Sequence, residues 1–352
     1  MRLEPISWLL NTYKNSRLKV LYVGSGAVNL CLAGWMHSGT NQTSFLVRSE
    51  DNELLKTQAF QCSLPGDKNF RVYTCKAYSS LEKVDRPDLV VIGVKNYSLS
   101  TVMDTIEKAF GTDIPVMSVL NGVSHINLIS DRFPNALFAT IAFNAYRTTP
   151  KSAVAVGGTI GLSASNPNSK TLQEVHKILK RKISVSIIEN PMDAAHCKLV
   201  FNLGNALFTI VGFHDNRNRE LPILQKLTAI IMWEGVQVIK KHGVKEVRIS
   251  GMPSWIFLWL SKTLPTSWVL PMFIKKTEAS SINSMAQDLA TGSNQTELEE
   301  INGYFLELAN KVNVEVPYNS AVYAIFKEWV GSSSQPLKPS ELLARINSFS
   351  NL

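Results

Sequence analysis

In the stretch AHCKLVFNLGNALFTIVG, residues 195 to 212, three strongly polar side chains recur at offsets of zero, four and seven: Lys198, Asn202 and Asn205. At about 100° per residue these lie within roughly 60° of one another, so a helix presents all three on one face. Leu199, Val200, Phe201, Leu203 and Leu207 cover the rest. A lysine among apolar groups is paired, snorkels to water, or shifts its pKa toward neutrality. In the last case it is a proton donor, and two neutral amides beside it bind the oxygens of a substrate without adding charge. The same spacing also fits a snorkelling lysine with two satisfied core asparagines. The surrounding elements decide between the two.

A second chemistry-bearing stretch follows the apolar run RLKVLYV. The turn Gly24-Ser25-Gly26-Ala27-Val28-Asn29 fills the first two glycine positions of GxGxxG and puts asparagine at the third, and LCLAGWMHSG continues as a helix. Strand, glycine turn and helix in that order cradle a dinucleotide. The first glycine permits the tight bend, and the second lets a pyrophosphate approach the backbone at the positive helix end. Asn29 replaces the glycine that normally allows close helix packing, which predicts a wider crossing. The next strand, TSFLV, ends at Arg48 and Ser49, with Glu50 just beyond. A guanidinium there suits a 2′-phosphate and a carboxylate a 2′-hydroxyl, so the cofactor expected is NADP(H) rather than NAD. A plain surface arginine is the competing reading of Arg48.

These residues need a scaffold. DLVVIGV (88 to 94) and IPVMSVL (114 to 120) are continuous apolar runs of the kind buried in parallel sheets, and a helix is predicted from Ser98 to about Phe110. AVAVGGTIGLSA (153 to 164) and SVSII (184 to 188) read as later strands, and strand signals stop after Asn190-Pro191. The fold class expected is α/β: an N-terminal Rossmann-type doubly wound parallel sheet followed by an all-α C-terminal domain. The chain divides into a helical or disordered extension (1–16), an NADP-binding domain (17–190) and a helical substrate and catalytic domain (191–352).

With 352 residues, 45% hydrophobic and 18% charged, the chain is long enough for two cores. Its net charge of +8 is spread out, and the densest cluster, KILKRK at 177 to 182, lacks interleaved aromatics. That argues against nucleic acid and for a small anionic ligand. Four cysteines and six histidines show no metal or disulfide spacing, which predicts reduced thiols, no metal site and a cytoplasmic setting. SWIFLWLSKTLPTSWVLPMFI, 254 to 274, carries one charge in 21 residues, but Pro265 and Pro271 break it into shorter pieces. No transmembrane span is expected. Buried helices or a homodimer surface are favoured for this segment, and peripheral membrane contact stays open.

Taken in order, KVLYVGSGAVN, VVIGVKNYSL, VLNGV, CKLVFNLGNAL, SSINSMAQDLATGSNQTELEEINGYFLELA and VPYNSAVYAIFK resemble the ketopantoate reductase (2-dehydropantoate 2-reductase) family over roughly residues 18 to 330. The resemblance implies an NADPH-dependent oxidoreductase that reduces the ketone of 2-dehydropantoate to (R)-pantoate, toward pantothenate and coenzyme A. It implies that Lys198 is the catalytic lysine, Glu297 the active-site carboxylate, Asn202 and Ser284 substrate-binding residues, Asn121 the asparagine near nicotinamide and Lys95 the cofactor-side lysine. Two positions depart from the pattern. The family's second asparagine falls at Ala206, with Asn205 one residue earlier, and the Ser284 to Glu297 spacing is one residue longer, through an addition in GSNQ.

Reduction of a ketone builds negative charge on its oxygen, which a nearby ammonium stabilises and protonates. Lys198 suits that task, held by Glu297 or Asn121. The neighbouring patterns also have plainer readings. Thr296 with Glu299 forms a capping-box start beside Glu297, Asn121-Gly122 is a common turn, Ser284 fits an ordinary helix, and Lys95 a solvated strand end. A related reductase acting on a less polar 2-oxoacid, and a catalytically silent NADP(H)-binding sensor or scaffold, are the alternative functions.

Overall fold

Apolar runs too short for helices become strands, and each is returned to the sheet by a helix or loop. The computed structural model describes residues 18–37, 42–48, 52–67, 69–212, 220–249, 252–278, 283–290, 296–331 and 335–350, so the 1–16 extension lies outside the described residues. The N-terminal half runs β1 (Lys19–Val23), α1 (Ala27–Met36), β2 (Gln42–Leu46), α2 (Asn52–Thr57), β3 (Ala59–Ser63), β4 (Phe70–Thr74), β5 (Lys76–Tyr78) and β6 (Leu89–Ile92). It continues with α3 (Leu99–Phe110), β7 (Val116–Ser118), α4 (His125–Arg132), β8 (Ala136–Ile141), β9 (Asn144–Thr149), β10 (Ser152–Val156), β11 (Thr159–Ala164), α5 (Lys170–Leu179) and β12 (Ser184–Ile187).

The main sheet has the order β12-β11-β8-β7-β6-β1-β2-β5. Its pairings are parallel except that of β11 with β8. Every residue of β6 is buried, as a central strand requires. A second sheet, β4-β3-β10-β9, was not evident in the sequence. The 153 to 164 stretch is split between the sheets, with β10 in the smaller and β11 in the larger.

Helix α1 lies between the two sheets, and every residue from Asn29 to Met36 is buried. Trp35 donates from Nε1 to the Ser63 carbonyl at 3.1 Å and meets the Phe143 ring at 4.8 Å. A fully buried large side chain contributes about 1.5–3 kcal/mol, so α1 is anchored over its whole length.

The C-terminal half is helical: α6 (Pro191–Asn202), α7 (Gly204–Ile210), α8 (Leu221–Lys241), α9 (Trp255–Thr263), α10 (Thr266–Glu278), α11 (Ser284–Ala290), a π-helical turn (Glu299–Gly303), α12 (Tyr304–Lys311), α13 (Pro317–Gly331) and α14 (Pro339–Ser350). Asn190 caps α6 by accepting from the Met192 N–H, and Pro191 fills the first helical position, where no N–H is needed. The buried Glu234 carboxylate of α8 accepts from the backbone N–H groups of Tyr318 and Asn319 at the start of α13.

The apolar 254 to 274 segment becomes α9 and α10, with Pro265 between them; Pro271 sits inside α10 rather than ending it. One side of this pair faces a cavity. The other leaves Ile256, Trp259 and Trp268 exposed. Among the described residues no helix is long and apolar enough to cross a membrane.

Candidate active site

The glycine turn joins β1 to α1. Gly24 adopts a φ of +92°, which disfavours a side chain, and its N–H donates to the Leu46 carbonyl at 2.9 Å. The end of β2 therefore abuts the turn, and exposed Arg48 follows two residues later. Ser49 and Glu50 lie outside the described residues. Ser25 is buried, Gly26 starts α1 without a side-chain cap, and Val28 lines the cavity. A helix start without a side-chain cap keeps N–H groups for an anion.

Asn29 does not simply widen the crossing of α1 and β1. Its Nδ2 donates to the carbonyls of Val23 and Gly24, at 3.0 and 2.8 Å, and so fastens the turn to the helix. The room comes from Gly93, because a Cβ built there would lie 2.3 Å from Asn29 Oδ1.

A cavity of about 820 Å³ opens between the two halves, lined by Val28, Val119 and Asn121 on one side and by Lys198, Asn202, Asn205 and Ser284 on the other. Lys198 and Asn202 of α6 and Asn205 of α7 thus share one cavity, although the single helix expected over this stretch is divided at Leu203. Ala206 is fully buried in the core instead. The Asn202 Nδ2 is buried and has no hydrogen-bond partner, so it is a donor available to a ligand.

Lys198 Nζ donates to Asn121 Oδ1 at 2.7 Å, and Asn121 Nδ2 donates to Glu297 Oε2 at 3.2 Å. Burial lowers the Lys198 pKa to about 8, against the raising influence of Glu297. Buried His125 is pushed down to about 3, by desolvation and then by the charge of Lys198, so it is neutral at pH 7. The carboxylate of Glu299 is taken up by Tyr323 and Lys327. Glu297 sits just before the π-helical turn, a distortion that often marks functional sites.

Lys95 lies beside this group and forms an ion pair with Asp288 at 2.7 Å. Burial works against its charge, but Glu297 and Asp288 outweigh it and raise its pKa. Sequence reasoning missed Asp288, although it stands one helical turn after Ser284 on α11. It also missed Asn283, whose Oδ1 accepts from the Ala286 N–H at 3.0 Å and whose Nδ2 donates to the Asn205 carbonyl at 3.3 Å, tying α11 to α7. Asn96 was missed as well; its Nδ2 donates to the Asn121 carbonyl at 3.0 Å. Among the described residues no cluster of side chains could hold a metal ion.

A glycine turn on a Rossmann-type sheet, with a half-buried lysine from a helical domain lining the adjoining cavity, defines a two-domain oxidoreductase architecture. The family models Ketopantoate reductase PanE/ApbA and Ketopantoate reductase PanE/ApbA C terminal match residues 20–167 and 190–329. The chain belongs to the ketopantoate reductase family and is an oxidoreductase of that type. It is 23% identical over 324 residues to 2-dehydropantoate 2-reductase of Pyrococcus horikoshii, covering 90% of this chain and all of the relative. Two solved structures share the fold. The PanE/ApbA family ketopantoate reductase of Ralstonia eutropha has a TM-score of 0.70 at 19% identity, over 88% of this chain and 98% of the other. D-mandelate dehydrogenase, solved with NADH and anilino(oxo)acetate, has a TM-score of 0.69 at 18% identity, over 95% of this chain and all of the other.

Proposed function

We propose that this chain is an NADPH-dependent reductase of a 2-oxoacid ketone with Lys198 as general acid. The name its curated relatives carry makes 2-dehydropantoate, reduced to (R)-pantoate, the first substrate to test. The observation that supports this reading best is the half-buried Lys198 ammonium, held 2.7 Å from Asn121 in a cavity lined by both domains.

The turn from Gly24 to Asn29 and Arg48 beyond β2 would hold the cofactor, with Lys95 and Asn121 toward its reactive end. NADPH, when bound, supplies the hydride. Negative charge that builds on the ketone oxygen is met by the Lys198 ammonium, which donates its proton there. Asn121 fixes the direction of Nζ, and Glu297 holds Asn121 from behind. Asn202, Asn205 and Ser284 receive the carboxylate and hydroxyl oxygens of the substrate. Glu297 and Asp288 balance Lys198 and Lys95, so the site gains no net charge before an anion enters.

Purified protein is expected to consume NADPH in the presence of 2-oxoacids, and Lys198→Ala to cut kcat by about 10²–10⁴ while NADPH still binds. Full activity in Lys198→Ala would overturn the mechanism. Tight NADPH binding without turnover of any 2-oxoacid would point to a sensor instead.

A further inference from the structure

The cavity extends well past the polar residues assigned to chemistry. A Cβ on Gly204, beside Asn205, would lie 3.7 Å from Met232 Cε, which places Met232 of α8 next to the polar centre. From there the lining runs back along α8 through Thr228 to Gln225. The seven rises from Gln225 to Met232 span about 10 Å of helix. The walls of this arm are mainly apolar, with Phe257 from α9 and Val269 and Phe273 from α10, and Thr228 and Ser261 are the polar groups nearest Gln225. At its end Gln225 is 2% exposed; its Nε2 donates to the Ser261 carbonyl at 3.1 Å, and its Oε1 is buried without a partner. A buried acceptor left unpaired destabilises the site, and a donor on a ligand would relieve that cost.

2-Dehydropantoate reaches only two carbons and a hydroxyl beyond its ketone, roughly 4 Å. It fills the polar centre and leaves the arm empty. We infer that the substrate is a 2-oxoacid with an extended apolar substituent that carries a hydrogen-bond donor at its far end. The inference rests on the reductase reading and narrows its substrate class. The chemistry is unchanged: the ketone carbon gains a hydride and its oxygen gains the Lys198 proton. The substituent lies between α8, α9 and α10, and its terminal donor meets Gln225 Oε1.

The test is steady-state NADPH oxidation by the full-length chain with 2-dehydropantoate, phenylpyruvate and 4-hydroxyphenylpyruvate. Phenylpyruvate is expected to exceed 2-dehydropantoate at least tenfold in kcat/KM, and the 4-hydroxy compound to exceed phenylpyruvate severalfold. Gln225→Leu should erase the hydroxyl preference. Val269→Trp, which fills the arm, should lower the ratio of phenylpyruvate to 2-dehydropantoate at least tenfold. Highest kcat/KM for 2-dehydropantoate, with a ratio unmoved by Val269→Trp, overturns this inference and leaves the reductase reading intact. No turnover of any of the three, in protein shown to bind NADPH, overturns both.

Discussion

Lys198 Nζ and Asn121 Oδ1 stand 2.7 Å apart although they come from different halves of the chain. An ammonium only donates and a carboxylate only accepts, so Lys198 on one side and Glu297 on the other fix which way the Asn121 amide points. The amide passes the influence of Glu297 to Lys198 without letting the two charges collapse into a direct pair. A buried lysine paired directly with a carboxylate would hold its proton more tightly, and a weaker acid would follow.

Because Lys198 titrates at about 8, its protonated form dominates below that pH. Reduction is expected to be flat below about pH 7 and to fall about tenfold per unit well above 8. The sign for stability is opposite. An unfolded lysine keeps its proton to about pH 10, so between about 8 and 10 the unfolded chain binds more protons and this group's contribution to stability rises with pH. A pH–rate profile of kcat and denaturant midpoints at pH 7 and 9 check both arms, with Lys198→Met as the control that loses the dependence.

Substitutions at Asn121 should move that profile in opposite directions. Asn121→Leu removes a charge-assisted bond of about 1.5–3 kcal/mol, which lowers the Lys198 pKa and shifts the alkaline limb toward neutrality. Asn121→Asp sets a carboxylate against the ammonium and shifts the limb to higher pH, while repulsion from Glu297 lowers kcat. Equal profiles for the two variants would count against the bridging role.

Arg48→Asp is expected to reduce the NADPH to NADH ratio of kcat/KM by at least tenfold, because the guanidinium next to the β1–α1 turn is replaced by a group that repels a 2′-phosphate. Competition between the two cofactors in one assay measures the ratio. An unchanged ratio would assign Arg48 to the surface alone.

Gly93→Ala drives a methyl group against Asn29 Oδ1 and should cost about 1–3 kcal/mol of stability. Adding Asn29→Gly removes the obstruction, so the double variant is expected to be more stable than Gly93→Ala alone. Chemical denaturation of the four proteins in the cycle gives the coupling.

The parts of the fold that show in the sequence are those where local pattern and burial coincide. LVVI reads as a buried strand because all four side chains are enclosed. The smaller sheet was illegible because β4 and β9 are mostly exposed, and because β3 joins β10 by pairing Gln61 with Ser152 across a long stretch of chain. The same division runs through the site. Lys198, Asn202 and Asn205 follow from helical period, whereas Asp288 owes its place to Lys95, far away in sequence. Thr296 with Glu299 even points the wrong way locally, since the Glu299 carboxylate turns to α13 and Glu297 is the one that meets Asn121.

Helix α1 is buried from Asn29 to Met36, packs on the smaller sheet and is tied to β1 and the glycine turn through Tyr22–Met36 and Asn29. The glycine turn at its tip is therefore a fixed anvil: a ligand in the cleft meets a surface already shaped by the core rather than one it must fold around itself.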